Sequence, residues 1–237
     1  MLRTMAVVGR QQWRGVVTVY SLATVEAADH SLLYVTELLH RVQNEHTKTI
    51  SFVSMMETRS ANPEAKTALN QVIKHLHASA NAHDILRPPV PGVLVDFTSN
   101  LVRLCRAISS ASLEQSGITL DLTVSGSVLL DSGRCWRASL ILSELITNAQ
   151  RHAFGPRGGR ISIVVTDACG SVVCRVSDDG RPNAAPRKGL GTQLIDALTA
   201  DLNGDVKRTY DKAGTRVTLK FPKKHASGGP YLDSLGR

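Results

Sequence analysis

The segment RPPVPG at Arg87–Gly92 divides the chain into two parts with different hydrophobic periods. Three prolines in six residues fix φ and lack amide donors, so neither a helix nor a sheet ladder runs through them. Before the break the apolar residues recur at helical spacing. After it, stretches alternating with period two are interleaved with further helical stretches. The chain is therefore expected to be α+β, with a helical N-terminal part followed by a sandwich of helices on one face of a sheet.

In the first part, Val35, Leu38, Leu39, Val42, Ile50, Val53 and Met56 form one stripe of a long helix from Leu32 to about Arg59. Asn62-Pro63-Glu64 supplies a helix start, with Asn as N-cap, Pro at the first position and an acid in the first turn. The second helix carries Ala68, Val72, Ile73, Leu76 and Ala80 and stops before the proline break. Two helices joined by so short a turn make an antiparallel hairpin. A lone hairpin does not cover both sides of its stripe, so pairing with a second copy into a four-helix bundle is expected. Residues 1–30 contain the short apolar runs MAVVGR and GVVTVY and are read as an extension with no evident pairing.

In the second part, VLVDF reads as a short strand and 99–116 as a helix. GITLDLTV alternates as a half-buried strand, and the stretch from Cys135 to Phe154 is helical. RISIVVTDA and SVVCRVSDD are two β-branched runs around Cys-Gly, a hairpin signal. The helix LGTQLIDALTADLNG ends on Asn-Gly, and DVKRTY and TRVTLKFP close the series around Lys212–Gly214. The division expected is an extension at 1–30, a hairpin at 31–88, an α/β sandwich at 93–222 and a loose tail at 223–237.

Charge and cysteines limit the classes of function. The formal charge is +8, but the basic residues are scattered, which fits an acidic or phosphorylated partner better than nucleic acid. No RNA-binding aromatic motif or zinc-finger spacing is present. The four cysteines contain no C-x-x-C pair, as expected for reduced thiols in a cytoplasmic protein. No apolar run approaches the roughly 18 residues of a membrane helix, so no direct membrane insertion is expected, and a sensory input has to come from another chain.

Four short motifs carry the chemistry. In SELITNAQRHAF, Glu144 and Asn148 stand one turn apart, where an acid and an amide can hold a hydrated divalent cation. Taken alone, the pair is an ordinary solvated helix flank. In VSDDGRP, Asp178 and Gly180 at a strand end place a carboxylate beside flexible backbone, suited to accepting from an amino group such as that of adenine; in isolation this is a plain Asp-Gly turn. In KGLGTQL, Gly189 and Gly191 precede a helix N-terminus, where bare amides and the helix dipole favour phosphate. In AGTRVTLKF, Gly214 and Thr215 open the closing strand, as a hairpin turn also would.

Each motif is weak, and their order is informative. E-x-x-x-N, D-x-G, G-x-G and G-T, on helix, strand end, helix start and strand, resemble the N box and three glycine boxes of the ATP-binding domain shared by histidine kinases, gyrase-type ATPases and Hsp90. The resemblance spans about 93–222. Upstream, ELLHRVQNE is similar to the H-R-V-K-N phosphoacceptor motif of sensor histidine kinases related to the HWE group.

The resemblance implies a protein histidine kinase of a bacterial two-component system. His40 would accept the phosphoryl group of Mg-ATP, and a response-regulator aspartate would take it next. Asn148 would coordinate Mg²⁺, Asp178 would bind the adenine amino group, and Gly180, Gly189, Gly191 and Thr215 would shape the nucleotide site. Glu144 would polarise water at the metal or assist proton removal, while Arg151 and His152 fall where the family places phosphate-facing residues. A homodimer and a separate sensor protein are the implied partners.

The residues around the candidate phosphoacceptor fit that role. Thr36, His40, Gln43, Asn44 and Thr47 share a polar helix face, and Asn44, one turn beyond His40, is placed to fix which imidazole nitrogen attacks. The other histidines, His75, His77 and His83, read as surface residues of the second helix. The chain departs from the family in four places. It lacks the W-x-E of the HWE group, has Gln43 for the usual Lys, carries Glu45 and His46 where the family is apolar, and has Pro182 in place of a second glycine. Only Asn183–Lys188 separate two glycine boxes, which leaves a very short lid. The alternative is a non-catalytic histidine phosphotransfer adaptor with a degenerate ATP domain. An anti-sigma-type serine kinase shares the ATP domain but has no use for the hairpin.

Overall fold

The computed structural model describes residues 30–181 and 189–224, with side chains from residue 41 onward. Helix α1 runs His30–Arg59 and α2 Pro63–Ile85, joined by the expected short turn. Asn62 caps α2, its side chain accepting from the amides of Glu64 (2.8 Å) and Ala65 (3.4 Å), with Pro63 at the first helical position. The two helices pack side by side, and Gln43 Nε2 donates to Asp84 Oδ1 at 3.3 Å across them.

Beyond the proline break come β1 (Leu94–Asp96) and α3 (Phe97–Ile108). A π-turn over Ser109–Leu113 and a 3-10 turn over Glu114–Ser116 complete the stretch expected as one helix. Strand β2 (Ile118–Ser125) follows, then β3 (Leu129–Asp131), which pairs antiparallel with β1 and was not foreseen in the sequence. Helix α4 spans Ser132–His152, starting three residues earlier than the apolar period indicates because Asp131 caps it, accepting from the Arg134 amide at 2.9 Å. Next are β4 (Gly159–Ala168), β5 (Ser171–Asp178), α5 (Leu190–Asp201), β6 (Asp205–Asp211) and β7 (Gly214–Pro222).

The five-stranded sheet has the order β2-β4-β5-β7-β6, antiparallel except for the β2/β4 pair. That parallel pair is absent from the sequence reading, and α4 is the helix that connects its two strands. The β4–β5 hairpin turns on Cys169 (φ 43°) and Gly170 (φ 90°), two positive-φ residues as a type I′ turn requires. At the end of α5, the Gly204 amide donates to Thr199 O (3.0 Å) and the Asn203 amide to Ala200 O (2.8 Å), with Asn203 left-handed. This is the Schellman stop that Asn-Gly announces.

Alternation puts Ile161, Ile163, Val165, Val172, Cys174, Val176, Val217, Leu219 and Phe221 on one sheet face, buried under the helices. Cys105, Cys135 and Cys174 are buried free thiols, and Cys169 is exposed. The core also takes in Ala82 and Leu86 from the end of α2, and Trp136 Nε1 donates to Leu86 O at 2.9 Å. The hairpin is thereby fastened to the sandwich. His46, which stands where the family is apolar, and His83, read above as a surface residue, are both buried with their rings stacked 5.1 Å apart. The period of α2 sends position 83 toward α1, and a neutral imidazole fits that interior because burial lowers the pKa of His83 to about 4. Residues 1–29, Pro182–Lys188 and 225–237, which hold nearly all of the extension, the lid and most of the tail, lie outside the described residues. Lys223 is ion-paired to Asp167, and its amide donates to Gly170 O at 2.8 Å.

One buried cation fixes the far end of the sandwich. Arg134 is 1% exposed and donates through Nη2 to Leu202 O (2.5 Å) and Pro222 O (2.6 Å), with its guanidinium over the Phe221 ring. Arg134→Ala leaves one buried and one half-buried carbonyl without this donor. The substitution should lower the unfolding free energy by about 3 kcal/mol in a urea titration followed by circular dichroism. A loss under about 1 kcal/mol would mean that water replaces the guanidinium there.

Candidate nucleotide site

The site is assembled where the C-terminal half of α4, the end of β5, the start of α5 and the start of β7 meet. Asp178 is the last residue of β5. Its Oδ1 accepts from the amides of Gly180 (3.1 Å) and Thr215 (3.2 Å), so the D-x-G and G-T motifs, 37 residues apart, close on one carboxylate oxygen. The carboxylate also takes a bond from the Thr215 side chain, so both motifs hold it. Burial raises the Asp178 carboxyl above its ordinary range, against the opposing pull of the Thr215 and Gly180 amides. Gly214 makes this closure possible. It adopts φ 125°, and a Cβ there would lie 2.0 Å from the Asp178 carbonyl oxygen, so a larger residue would lift β7 away from the carboxylate.

On α4, Glu144 is 3% exposed and Asn148, one turn on, is half-buried and hydrogen-bonds its carboxylate. Burial pushes the Glu144 carboxyl up to about 7, opposed by the charge of Arg151 and the Asn148 bond. A Cβ on Gly191 would come within 1.9 Å of Glu144 Oε1, so the backbone of the G-x-G motif lies directly on that carboxylate. Gly189 is the N-cap of α5 and makes no side-chain cap bond, which leaves the first amides of a 12-residue helix available to an anion. The Arg181 amide donates to Ala153 O at 3.0 Å, tying the segment after Asp178 to the end of α4.

The structure thus brings together Glu144, Asn148, Asp178, Gly180, Gly191 and Thr215, with Gly189 at the adjoining helix start and Arg151 near enough to act on Glu144. Arg151 and His152 are exposed in the last turn of α4. His40 and Asn44 belong to α1, which packs on α2, and do not join this convergence. Asn44 is exposed, and the His40 side chain lies outside the described residues. Gln43, expected on a solvent-facing polar face, is half-buried and engaged with Asp84. Sequence reasoning missed Ala153 and Arg134, of which only the second left a signal, the Asp-Ser-Gly-Arg helix start. The Glu144–Asn148 pair is a carboxylate and an amide oxygen one turn apart, a hard donor set that fits a largely hydrated Mg²⁺.

Residues 100–221, just over half of the chain, match the sequence model of the histidine kinase-like ATPase domain. The chain belongs to this family. The sensor histidine kinase PdtaS of Mycolicibacterium smegmatis is 26% identical over a match covering 97% of this chain and 48% of that protein. The blue-light-activated histidine kinase 1 of Erythrobacter litoralis is 24% identical, over 78% of this chain and 52% of that one. The chain spans about half the length of the curated relatives it matches. Among solved structures, the histidine kinase domain of the Erythrobacter litoralis EL346 blue-light activated histidine kinase superposes with a TM-score of 0.54 at 21% identity. That match covers 75% of this chain and 96% of that one. A bacterial phosphotransferase superposes at 0.56 and 14% identity, over 82% and 98% of the two chains. These likenesses agree with the α+β fold of a helical hairpin and an ATPase-type sandwich. No helix among the described residues is long and apolar enough to cross a membrane.

The raised value of Glu144 gives the family site a thermodynamic signature. With a folded-state pKa of about 7 against an ordinary 4.5, folding takes up a proton between those values. Stability therefore falls as pH rises through that window. Glu144→Gln removes the dependence. Its stability relative to the parent should improve by on the order of 3 kcal/mol between about pH 4 and pH 8 in denaturant titrations. A pH-independent difference would place the Glu144 carboxyl in contact with water.

Proposed function

We propose that this chain is a protein histidine kinase that phosphorylates itself on His40 from Mg-ATP and passes the group to a response-regulator aspartate. The observation that carries the reading is the closure of four separate motifs on two carboxylates whose ionisation burial disfavours, within a sandwich of the histidine kinase-like ATPase family. The Asp178 carboxylate accepts the adenine amino group, and the Gly180 and Thr215 amides hold that carboxylate in place. The α5 start with Gly189 and Gly191 receives the phosphates, and Arg151 and His152 at the end of α4 face them. Asn148, with Glu144 behind it, would hold Mg²⁺, which would supply charge neutralisation on the triphosphate.

An imidazole nitrogen of His40 attacks the γ-phosphorus, the bond to the β–γ bridging oxygen breaks, and ADP leaves with that electron pair. Glu144, about half ionised near neutrality, takes the displaced ring proton directly or through water. Asn44 orients the ring. Positioning supplies most of the rate, since the protein contributes little covalent chemistry to a loose phosphoryl transfer. The exposed Phe52, Met55, Met56 and Val72 on the hairpin supply an apolar surface for a second copy of the chain, giving the dimeric bundle. The input comes from a separate sensor protein or from residues 1–30.

Incubation of the full chain with γ-labelled Mg-ATP tests the reading. Acid-labile label should appear on the parent protein and be absent in His40→Ala and in Asp178→Asn. Calorimetry should show nucleotide binding retained in the first and weakened by roughly tenfold or more in the second. The labelling rate should rise with pH through about 7 and lose that dependence in Glu144→Gln. A parent chain that binds no nucleotide would remove the kinase and leave a phosphotransfer adaptor.

A further inference from the structure

The sheet face away from the helices is uncovered, and its charges are unevenly distributed. Most of the basic side chains at the sheet's edges and ends have carboxylate partners: Arg160 with Asp121 (3.1 Å), Arg208 with Asp196 (2.7 Å), and Lys223 with Asp167. Arg175 and Arg216, on the inner strands β5 and β7, and Lys207, on the edge strand β6, have no carboxylate within 4 Å among the described residues. All three are exposed.

Strand register fixes how they are arranged. Arg175 on β5 stands opposite Thr218 on β7, and Thr218 opposite Lys207 on β6. The neighbouring row on the same face is Ser177, Arg216 and Thr209. With strands about 4.8 Å apart and same-face residues about 6.6 Å apart along a strand, the three cationic residues form a triangle no wider than about 10 Å. A hydroxyl stands beside each. Together with Val164 they line a groove of about 540 Å³. Like charges so close on a sheet repel one another, and the arrangement gains stability only when an anion occupies its centre. No aromatic ring is among the described residues that line the groove, so it lacks the stacking platform of a single-strand nucleic-acid reader.

We propose that this groove is a second ligand site, distinct from the nucleotide site, and that it takes a compact multivalent phosphate anion. The Arg175 and Arg216 guanidinium groups donate to phosphate oxygens in pairs, Lys207 closes the triangle, and the Ser177, Thr209 and Thr218 hydroxyls contribute at its edge. The inference is independent of the kinase reading, because it uses the opposite face of the sheet and none of the nucleotide-site residues.

Calorimetric titration of the full chain with inorganic tripolyphosphate, without magnesium, at about 50 and about 200 mM salt tests it. Two variants are needed. Arg175→Gln/Arg216→Gln alters exposed side chains on the open face. Asp178→Asn alters the nucleotide site while keeping the Oδ1 acceptor for Gly180 and Thr215. The proposal expects binding by the parent that weakens with salt. It expects at least tenfold loss in the double variant and an unchanged affinity in Asp178→Asn. To separate this groove from the phosphate-binding part of the nucleotide site, the double variant is also titrated with the adenine nucleotide AMP-PNP, whose tight binding should match the parent's. The proposal is overturned if the parent ignores tripolyphosphate, if the double variant binds it as the parent does, or if the double variant loses AMP-PNP as well. Retention of polyglutamate by a chain that ignores tripolyphosphate overturns it in favour of an acidic protein surface.

Discussion

The buried guanidinium of Arg134 is the constraint on which the site's geometry depends. It lies in the first turn of α4 and donates to carbonyls at the ends of α5 and β7. Those three elements carry Glu144 with Asn148, Gly189 with Gly191, and Thr215. One charged group therefore holds, from the distal end, three of the four segments that meet at the candidate site. Asn148 is 14 residues further along α4, about 21 Å away at the helical rise, so the clasp contacts no nucleotide and acts only through rigid elements. A buried cation is costly to desolvate, and here the two carbonyls and the face of Phe221 offset that cost.

At the site itself burial has the opposite use. Glu144 and Asp178 both have carboxyls raised by desolvation, and each is held by neighbours that favour its charged form: Arg151 and Asn148 for the first, the Thr215 and Gly180 amides for the second. The balance leaves Glu144 about half ionised at neutral pH. Gly191 lying on that carboxylate explains the glycine at its position better than loop flexibility does, because α5 is already helical there.

What was legible in the sequence follows from what local pattern encodes. The convergence of the four motifs could be read because each is a backbone requirement expressed in side-chain identity: a cap, a close approach, a left-handed turn. Asn62-Pro63, Cys169-Gly170 and Asn203-Gly204 were legible for the same reason. The parallel β2/β4 pair was not, because strand partners are chosen by tertiary packing, and nothing local in GITLDLTV distinguishes a parallel neighbour from an antiparallel one. The three-residue β1/β3 ladder falls below the length at which periodicity is informative. His83 was misread because a histidine on a helix is compatible with either face, and only the stack with His46 on the neighbouring helix places it inside.

The join between hairpin and sandwich was also hidden, and it changes how the two parts relate. The proline break marks a boundary in period, yet Ala82 and Leu86, just before it, belong to the same core as the sheet, and Trp136 on α4 bonds the Leu86 carbonyl. On the other side, α2 meets α1 through the Gln43–Asp84 bond and the His46–His83 stack. Helix α2 is therefore a two-sided element, with α1 on one side and α3 and the following π-turn on the other, while Leu86 beyond its end bonds Trp136 of α4. A rotation of α1 against the sandwich has to break or slide one of those two contacts. The α1 side is the more readily changed, since its bond joins a half-buried amide to an exposed carboxylate and its stack is a pair of neutral rings, whereas the sandwich side is set in apolar core. The physical division of the molecule lies between α1 and α2 more than at the prolines.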